Sequence, residues 1–204
     1  MYDKLEEYYN EYGNINVPIN YKTPDGTPLG HWLSSMRSSV KKPTPQGVRL
    51  NSNKIALLNK LGMDWFPIET QWRRIYDLAK IYYNENGNLL IPNNYVTDDN
   101  TKLGRWISTQ RYSYKEKKLS REKIILLEKI GMIWDVLEFE WHRMYNLAKE
   151  YFIDNGNLRI PQNYIKNNTH LGSWIGKQRR YYKEQKLAKR KIILLENIGM
   201  VWNL

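Results

Sequence analysis

The sequence predicts an all-α protein built from three tandem three-helix units. One phrase recurs at spacings of 74 and 68 residues, as LGHWLSSMR at 29–37, LGRWISTQR at 103–111 and LGSWIGKQR at 171–179. Between these occurrences, apolar and aromatic residues follow one another at the three- and four-residue intervals of an amphipathic helix. Self-similarity of this kind is typical of repeat proteins. We therefore expect negligible strand content and an array of three repeats, at residues 1–66, 71–135 and 140–204.

The first helix of each unit is predicted by its aromatic spacing. In the second unit this series runs from Trp72 to Tyr83. The helix should end at Gly87, because glycine readily adopts the left-handed conformation that caps a helix. A short extended segment follows, since the residue before Pro92 is pushed out of the α region. The linkers FPIETQ and DVLEFE are short and partly apolar, so we expect an array of restricted geometry.

The second and third helices follow from the recurring phrase. The second helix of the middle unit should begin at Leu103-Gly104 and continue through Tyr114. Ser120 is a preferred helix-capping residue and is expected to open the third helix, which Gly131 closes.

Tryptophan marks three positions of the repeat. A unit of about 65 to 70 residues lies near the lower size limit for an independent core, and large rings help to fill it. We expect the tryptophans, and also Tyr114 and Tyr182, to be buried rather than to contact a ligand. The first copy lacks the opening Trp, so we expect Met1 to lie inside a longer protein. The eight tryptophans are Trp72 and Trp141; Trp32, Trp106 and Trp174; and Trp65, Trp134 and Trp202.

Composition excludes several classes of protein. There is no cysteine, so disulfides, thiolate nucleophiles and cysteine-ligated zinc are excluded. No apolar run approaches the roughly 18 to 20 residues of a membrane span. The N-terminus has no apolar signal core, and we expect a cytoplasmic protein without a membrane partner. The net charge of +11 favours an anionic partner, of which nucleic acid is the most common.

The basic residues are concentrated in one part of each repeat, from the second helix to the start of the third. Residues 29–54 hold 5 basic and no acidic residues, residues 102–123 hold 8 and 2, and residues 171–191 hold 8 and 1. The rest of the chain holds 11 basic and 18 acidic residues. We call these three segments the basic stripes. A phosphate backbone favours such segregation, because each neutralised phosphate releases a counterion.

The basic stripes supply the candidate binding residues. Arginine and lysine alternate there with tyrosine, which suits phosphate contacts and stacking on an exposed base or sugar. The first copy keeps its basic residues but lacks the aromatic ones, so we expect it to bind most weakly. The candidates are Arg37, Lys41, Lys42, Arg111, Tyr112, Lys115, Lys118, Arg121, Arg179, Arg180, Lys183, Lys186, Lys189 and Arg190.

The arginine that ends the recurring phrase has two possible roles. Arg111 and Arg179 are placed to contact phosphate. They are also placed to form ion pairs with Glu128 and Glu196 of the third helix. The first copy keeps Arg37 but has asparagine in place of that glutamate, which weakens the ion-pair alternative.

Nothing in the sequence predicts catalysis. The three histidines, His31, His142 and His170, occupy unrelated repeat positions and lack metal-ligand spacing. The chain has no glycine-rich phosphate loop, no G-x-S-x-G elbow and no recurring carboxylate pair. Asp98-Asp99 lies in a loop and is interpreted as turn chemistry. We expect no enzyme activity, no metal and no cofactor.

The residues that recur in the three units closely resemble the bacterial helicase-associated domain family. Their combined pattern is W…Y…G-N…P…Y…LG-x-W-[IL]-x-x-[QM]-R…L…I-x-x-L-x-x-[IL]-G-M-x-W. The resemblance covers nearly the whole chain as three copies, of which the first is shortened at its start. It implies a Myb-like, helix-turn-helix-like fold and an accessory nucleic-acid-binding role beside a superfamily 2 helicase core. The first copy departs from the family pattern at Met36, at Asn59 and by five extra residues after Arg37.

These observations together predict a non-catalytic accessory region that grips nucleic acid. By analogy with Myb-like folds, duplex DNA is favoured over RNA and over single strands. The chain contains no ATP-binding P-loop or helicase motif, so any ATPase or helicase activity would lie outside it. The alternative is a protein-interaction scaffold that docks onto the helicase core or onto an acidic partner.

Overall fold

Helix follows helix along the described chain. The computed structural model describes residues 1–41 and 50–203, and this part contains nine α-helices and no β-strand, which confirms the all-α prediction. The helices are α1 (Tyr2–Tyr12), α2 (Leu29–Lys41), α3 (Ser52–Lys60), α4 (Pro67–Asn86), α5 (Leu103–Lys115), α6 (Arg121–Lys129), α7 (Val136–Asn155), α8 (Leu171–Lys183) and α9 (Lys189–Glu196).

The chain divides into two compact units, Met1–Leu78 and Ala79–Leu204, with the division inside α4. In the first unit the core is centred on Leu5, Leu29, Leu33 and Leu58. In the second unit the last repeat has the equivalent core, formed by Ala148, Leu158, Leu171, Ile175 and Leu195.

The segments that join the repeats form the first turns of α4 and α7. α4 begins at Pro67, a residue well suited to the first helical position because its fixed φ matches the helix and its missing N–H is not needed there. α7 is capped by Asp135, whose side chain accepts a hydrogen bond from the Glu138 N–H at 2.9 Å. Aromatic spacing alone starts at Trp72 or Trp141 and therefore misses these turns.

The Leu-Gly of the recurring phrase marks a close backbone contact. A Cβ on Gly172 would lie only 1.9 Å from the carbonyl oxygen of Pro161. The equivalent distances in the other repeats are 1.9 Å for Gly104 and 2.0 Å for Gly30. Only glycine lets the second helix begin this close to the proline segment.

Burial of the tryptophans differs between the three repeat positions. Trp72 and Trp141 are buried, whereas the tryptophans of the other two positions are half-buried. The expectation that all eight lie in the core therefore holds fully only for the opening position. At the other two positions the rings close the edge of the core.

The buried indole of Trp141 is paired with a side chain of the second helix. Trp141 Nε1 donates to Gln178 Oε1 at 3.0 Å, and Gln178 is only 3 % exposed. In the first repeat the buried Met36 stands at the position of this glutamine. Gln178 thus gives the buried indole N–H of the last repeat its acceptor.

Gln178→Met is expected to lower the free energy of unfolding by about 1 to 3 kcal/mol, because the buried Trp141 N–H loses its acceptor. Thermal or urea unfolding measures this change. Gln162→Met, at an exposed glutamine of the same repeat, is the matched control and should leave stability unchanged. Equal stability of the two variants would contradict the assigned role of the hydrogen bond.

Candidate nucleic-acid interface

The outward face of α8 is mainly basic. Lys177, Arg180 and Lys183 are all exposed and follow one another at three-residue intervals, so they share one side of the helix. On α5 the corresponding side carries Arg105, Lys115 and the 60 % exposed ring of Tyr112. In the last two repeats the recurring phrase therefore buries its leucine, glycine, isoleucine and glutamine, and the residue after the glycine is exposed.

The lysines at the ends of α5 and α8 differ in their partners. Within residues 1–41 and 50–203, no ion pair joins Lys115 or Lys183 to a carboxylate. Lys118 and Lys186 instead pair with the acids of their own stripes: Lys118 Nζ lies 3.7 Å from Glu116 Oε2, and Lys186 Nζ lies 2.8 Å from Glu184 Oε2. The hydrogen bond from Lys186 lowers the pKa of the Glu184 carboxyl. Such exposed pairs contribute little to stability and exchange readily for another anion.

The arginine that ends the recurring phrase holds two loops in place. Arg111 Nε donates to the Ile133 carbonyl at 2.9 Å, and its Nη2 donates to the Leu89 carbonyl at 2.8 Å. Arg179 repeats both bonds, to Val201 at 2.9 Å and Leu158 at 3.1 Å. Burial lowers the pKa of both guanidinium groups, which nevertheless stay charged at neutral pH.

The Nε bond recurs in the first repeat, where Arg37 Nε donates to the Asp64 carbonyl at 2.9 Å. Backbone carbonyls are thus a third type of partner, in addition to the phosphate and the glutamate that the sequence suggested. In the last two repeats these bonds join the segment between the first and second helices to the segment that follows the third helix, and the arginines stabilise the fold through them.

The glutamates suggested as arginine partners bind indole groups instead. Trp134 Nε1 donates to Glu128 Oε1 at 3.1 Å, and the last repeat forms the same bond with Glu196 at 3.0 Å. In the first repeat Asn59 Oδ1 accepts from Trp65 Nε1 at 2.7 Å. A side-chain oxygen of either residue satisfies this indole, so asparagine can take the place of glutamate in that copy.

Arg179→Ala is expected to lower the free energy of unfolding by about 2 to 3 kcal/mol, because two loop carbonyls lose a charged donor. The neighbouring Arg180→Ala should change stability by less than about 0.5 kcal/mol, since Arg180 is exposed. Chemical denaturation of both variants measures the difference. If the Arg179→Ala variant were as stable as the wild type, the structural role of Arg179 would be contradicted and contact with a ligand would be the remaining explanation.

The third helix begins with an exposed cation in each of the last two repeats. Arg121 and Lys189 are the first residues of α6 and α9, and both are exposed. Arg190 is directed elsewhere, because it forms an ion pair with Glu138 of α7. Lys191 Nζ also lies 2.7 Å from this carboxylate and is the main cause of its lowered pKa.

The first repeat presents less of its candidate site. Arg37 is half-buried and engaged with the backbone. Lys42 and the side chain of Lys41 lie outside the described residues. The positions of Tyr112 and Tyr114 are taken by Ser38 and Val40, so the aromatic part of the stripe is absent from this copy.

Tyr114 and Tyr182 are less buried than the sequence predicted. Tyr114 stacks on Trp134 with ring centroids 4.1 Å apart and an interplanar angle of 10°, and Tyr182 stacks identically on Trp202. The two tyrosines nevertheless remain 39 % and 38 % exposed. Each stack is therefore an aromatic surface beside the basic stripe.

A groove of about 530 Å³ adjoins this aromatic surface in the second repeat. Its aromatic lining is Tyr112, Tyr114 and Trp134, and its basic lining is Arg111 and Lys115. In the last repeat the position of Tyr112 is occupied by Arg180. The two repeats thus share their exposed lysines but differ in aromatic content.

The part of the chain that the structure describes meets the requirements of neither a metal centre nor a membrane-spanning helix. In the described ranges, no group of three or more metal-ligating side chains occurs. No helix there is both long enough and apolar enough to cross a bilayer. The loop carboxylate Asp99 accepts hydrogen bonds from the Thr97 hydroxyl and the Thr101 N–H, as expected for turn chemistry.

Comparison with known families is decisive for the repeats. A model of the Helicase associated domain matches residues 1–66, 69–135 and 138–203. The chain belongs to the Helicase associated domain family. The expected family and its three copies are thereby confirmed, and membership assigns the chain to the accessory regions of helicase-type proteins. No curated protein and no solved structure gives a significant match.

Proposed function

We propose that these helicase-associated repeats bind nucleic acid without catalysing a reaction. The binding surface is the exposed side of α5 and α8 together with the first residues of α6 and α9. Its principal contacts come from Lys115, Lys118 and Arg121 in the second repeat, and from Arg180, Lys183, Lys186 and Lys189 in the last. Half-buried Arg111 and Arg179 add charge close to this surface, and the first repeat binds most weakly.

One observation carries the proposal. Three basic positions of the stripes are exposed in both of the last two repeats, while acidic residues predominate in the rest of the chain; they are Lys115 and Lys183, Lys118 and Lys186, and Arg121 and Lys189. Lys115 and Lys183 have no acidic partner within the described ranges. A cation that is exposed and unpaired contacts a phosphate without first breaking an ion pair, and each such contact releases a counterion from the nucleic acid. Solubility alone would not require this segregation.

The proposed partner is duplex DNA, and the proposed role is to hold a covalently linked superfamily 2 helicase core on its substrate. Contacts with phosphate predict weak sequence preference, because phosphates carry no sequence information. RNA and single strands share the same backbone charge and should bind as well, with lower affinity.

Fluorescence anisotropy with labelled duplex DNA, single-stranded DNA and RNA at low salt tests this function. We expect all three polymers to bind, with the duplex bound most tightly. Absence of binding to any of them would refute the proposal and favour the protein-interaction scaffold.

A further inference from the structure

The groove of the second repeat combines aromatic and cationic groups in one concave site. The groove lies at the junction of α5 with the loop that leads into α7, and its volume of about 530 Å³ is within the range of small-ligand sites. Tyr112 is 60 % exposed at its edge, while the stacked rings of Tyr114 and Trp134 present a second aromatic surface. Leu137, the first apolar residue beyond the α7 cap that points to solvent, is 85 % exposed and lines the same groove.

The fold does not account for the exposed members of this groove. Packing explains Trp134, which is half-buried, stacks on Tyr114 and donates to Glu128. Tyr112 and Leu137 instead leave most of their apolar surface in water, although a polar residue would serve the helix equally well. The last repeat illustrates this, because it has arginine at the position of Tyr112. An exposed aromatic ring beside cations is typical of sites that bind a flat, uncharged ring joined to an anion.

The charge of the groove is complementary to a phosphate-linked ring. Lys115 and the charged guanidinium of Arg111 lie on the same groove. Its carboxylate, Asp135, already accepts the helix-capping bond from the Glu138 N–H at 2.9 Å. The groove therefore offers aromatic surface for a base and two cations for the adjoining phosphates.

We propose that this groove binds an unpaired nucleobase of the bound strand, stacked on its aromatic side chains, with Lys115 and Arg111 near the flanking phosphates. A base within a duplex is stacked on its neighbours and cannot enter, so the ligand is a nucleotide in a single-stranded stretch. The last repeat, which has arginine in place of Tyr112, binds phosphate only. The inference rests on the proposed function and gives the second repeat a distinct part in it.

The test compares two ligands of equal length and charge, oligothymidylate and an oligomer of abasic sites, for wild-type protein and Tyr112→Ala. Stacking of a base on an aromatic side chain is worth roughly a 5-fold to 100-fold change in affinity. Wild-type protein should therefore bind oligothymidylate at least about 5-fold more tightly than the abasic oligomer. Tyr112→Ala should remove most of this ratio and leave affinity for the abasic oligomer unchanged.

Leu137→Ala provides a second probe, and Ile153→Ala provides its control. Both residues are exposed apolar side chains of α7, at 85 % and 70 %, and only Leu137 lines the groove. Leu137→Ala should lower the ratio of the two affinities, whereas Ile153→Ala should not change it. Circular dichroism and thermal unfolding of all variants verify that the fold is intact.

The outcomes separate this inference from the proposed function. Equal wild-type affinities for the two oligomers would overturn the base site, while binding of duplex DNA would still support the phosphate interface. An equal loss of both affinities in Tyr112→Ala would also overturn it, since the tyrosine would then act on the backbone. Failure of every nucleic acid to bind would refute the proposed function itself.

Discussion

Gly172→Ala is expected to lower the free energy of unfolding by about 3 kcal/mol, the upper end of the usual cost of overpacking. The added methyl group would lie 1.9 Å from the Pro161 carbonyl oxygen, and this atom belongs to the backbone and has no alternative rotamer. The start of α8 must therefore move away from the proline segment. Urea unfolding of the variant measures the loss, and unchanged stability would show that the two segments can separate freely.

Gly176→Ala is the matched control in the same helix, one turn further on. A Cβ at this position meets no atom within 4 Å, and the equivalent residues of the other repeats are Ser34 and Ser108. Because alanine is the better helix former, this variant should be more stable than the wild type by about 1 kcal/mol. If the two glycine-to-alanine substitutions change the free energy of unfolding in opposite directions, the loss in Gly172→Ala is a steric effect and not an effect of helix propensity.

The combined change of Lys115, Lys118, Lys183 and Lys186 to glutamate should weaken binding of duplex DNA roughly 100-fold or more, because four phosphate contacts become repulsive. Thermal stability should change little, since all four side chains are exposed. Anisotropy titration at fixed salt measures the affinity. A variant that binds like the wild type would remove these lysines from the interface.

A control with the same change in net charge separates the local contacts from the overall charge. Lys60, Lys80, Lys129 and Lys149 are exposed and lie outside the basic stripes. Their combined change to glutamate should weaken binding by far less, because long-range attraction is screened over about 10 Å at 0.1 M salt. Equal losses in the two variants would mean that binding depends only on net charge.

Sequence periodicity was sufficient for the elements whose physics is local. The start of a helix and its left-handed cap depend on residues within one or two turns. The structure confirms the predicted helix starts at Leu103 and Leu171 and the predicted caps at Gly87 and Gly156. The early start of α4 was missed, because its first turn depends on Pro67 and not on apolar spacing.

The partners of the arginine that ends the recurring phrase could not be predicted from charge. Arg111 binds the carbonyls of Leu89 and Ile133, each 22 residues away, and a carbonyl has no signature in the sequence. Electrostatic pairing with Glu128 was the natural alternative because it depends on residue type. The sequence does contain a signal for the hydrogen bond of the closing tryptophan: the residue that supplies the side-chain oxygen always precedes that tryptophan by six positions. Asn59 and Trp65 keep this separation as well.

The candidate site was predicted unevenly for a similar reason. Exposure of Lys115 and Lys183 followed from helical phase, and the structure places both on the outward side. The ion pair between Arg190 and Glu138 joins residues that are 52 positions apart in the sequence, so it could be identified only from the three-dimensional fold. The groove beside Tyr112 likewise depends on how α5 meets the loop before α7.

The salt dependence of duplex binding tests the central claim most directly, because it counts the phosphates that are neutralised. Each contact contributes about −0.9 to the slope of log affinity against log salt concentration. Reversing Lys115, Lys118, Lys183 and Lys186 should therefore make the wild-type slope shallower by about 3 to 4, while the control reversal leaves it unchanged. A wild-type affinity that does not vary with salt, or identical slopes for the wild type and the stripe variant, would contradict the account.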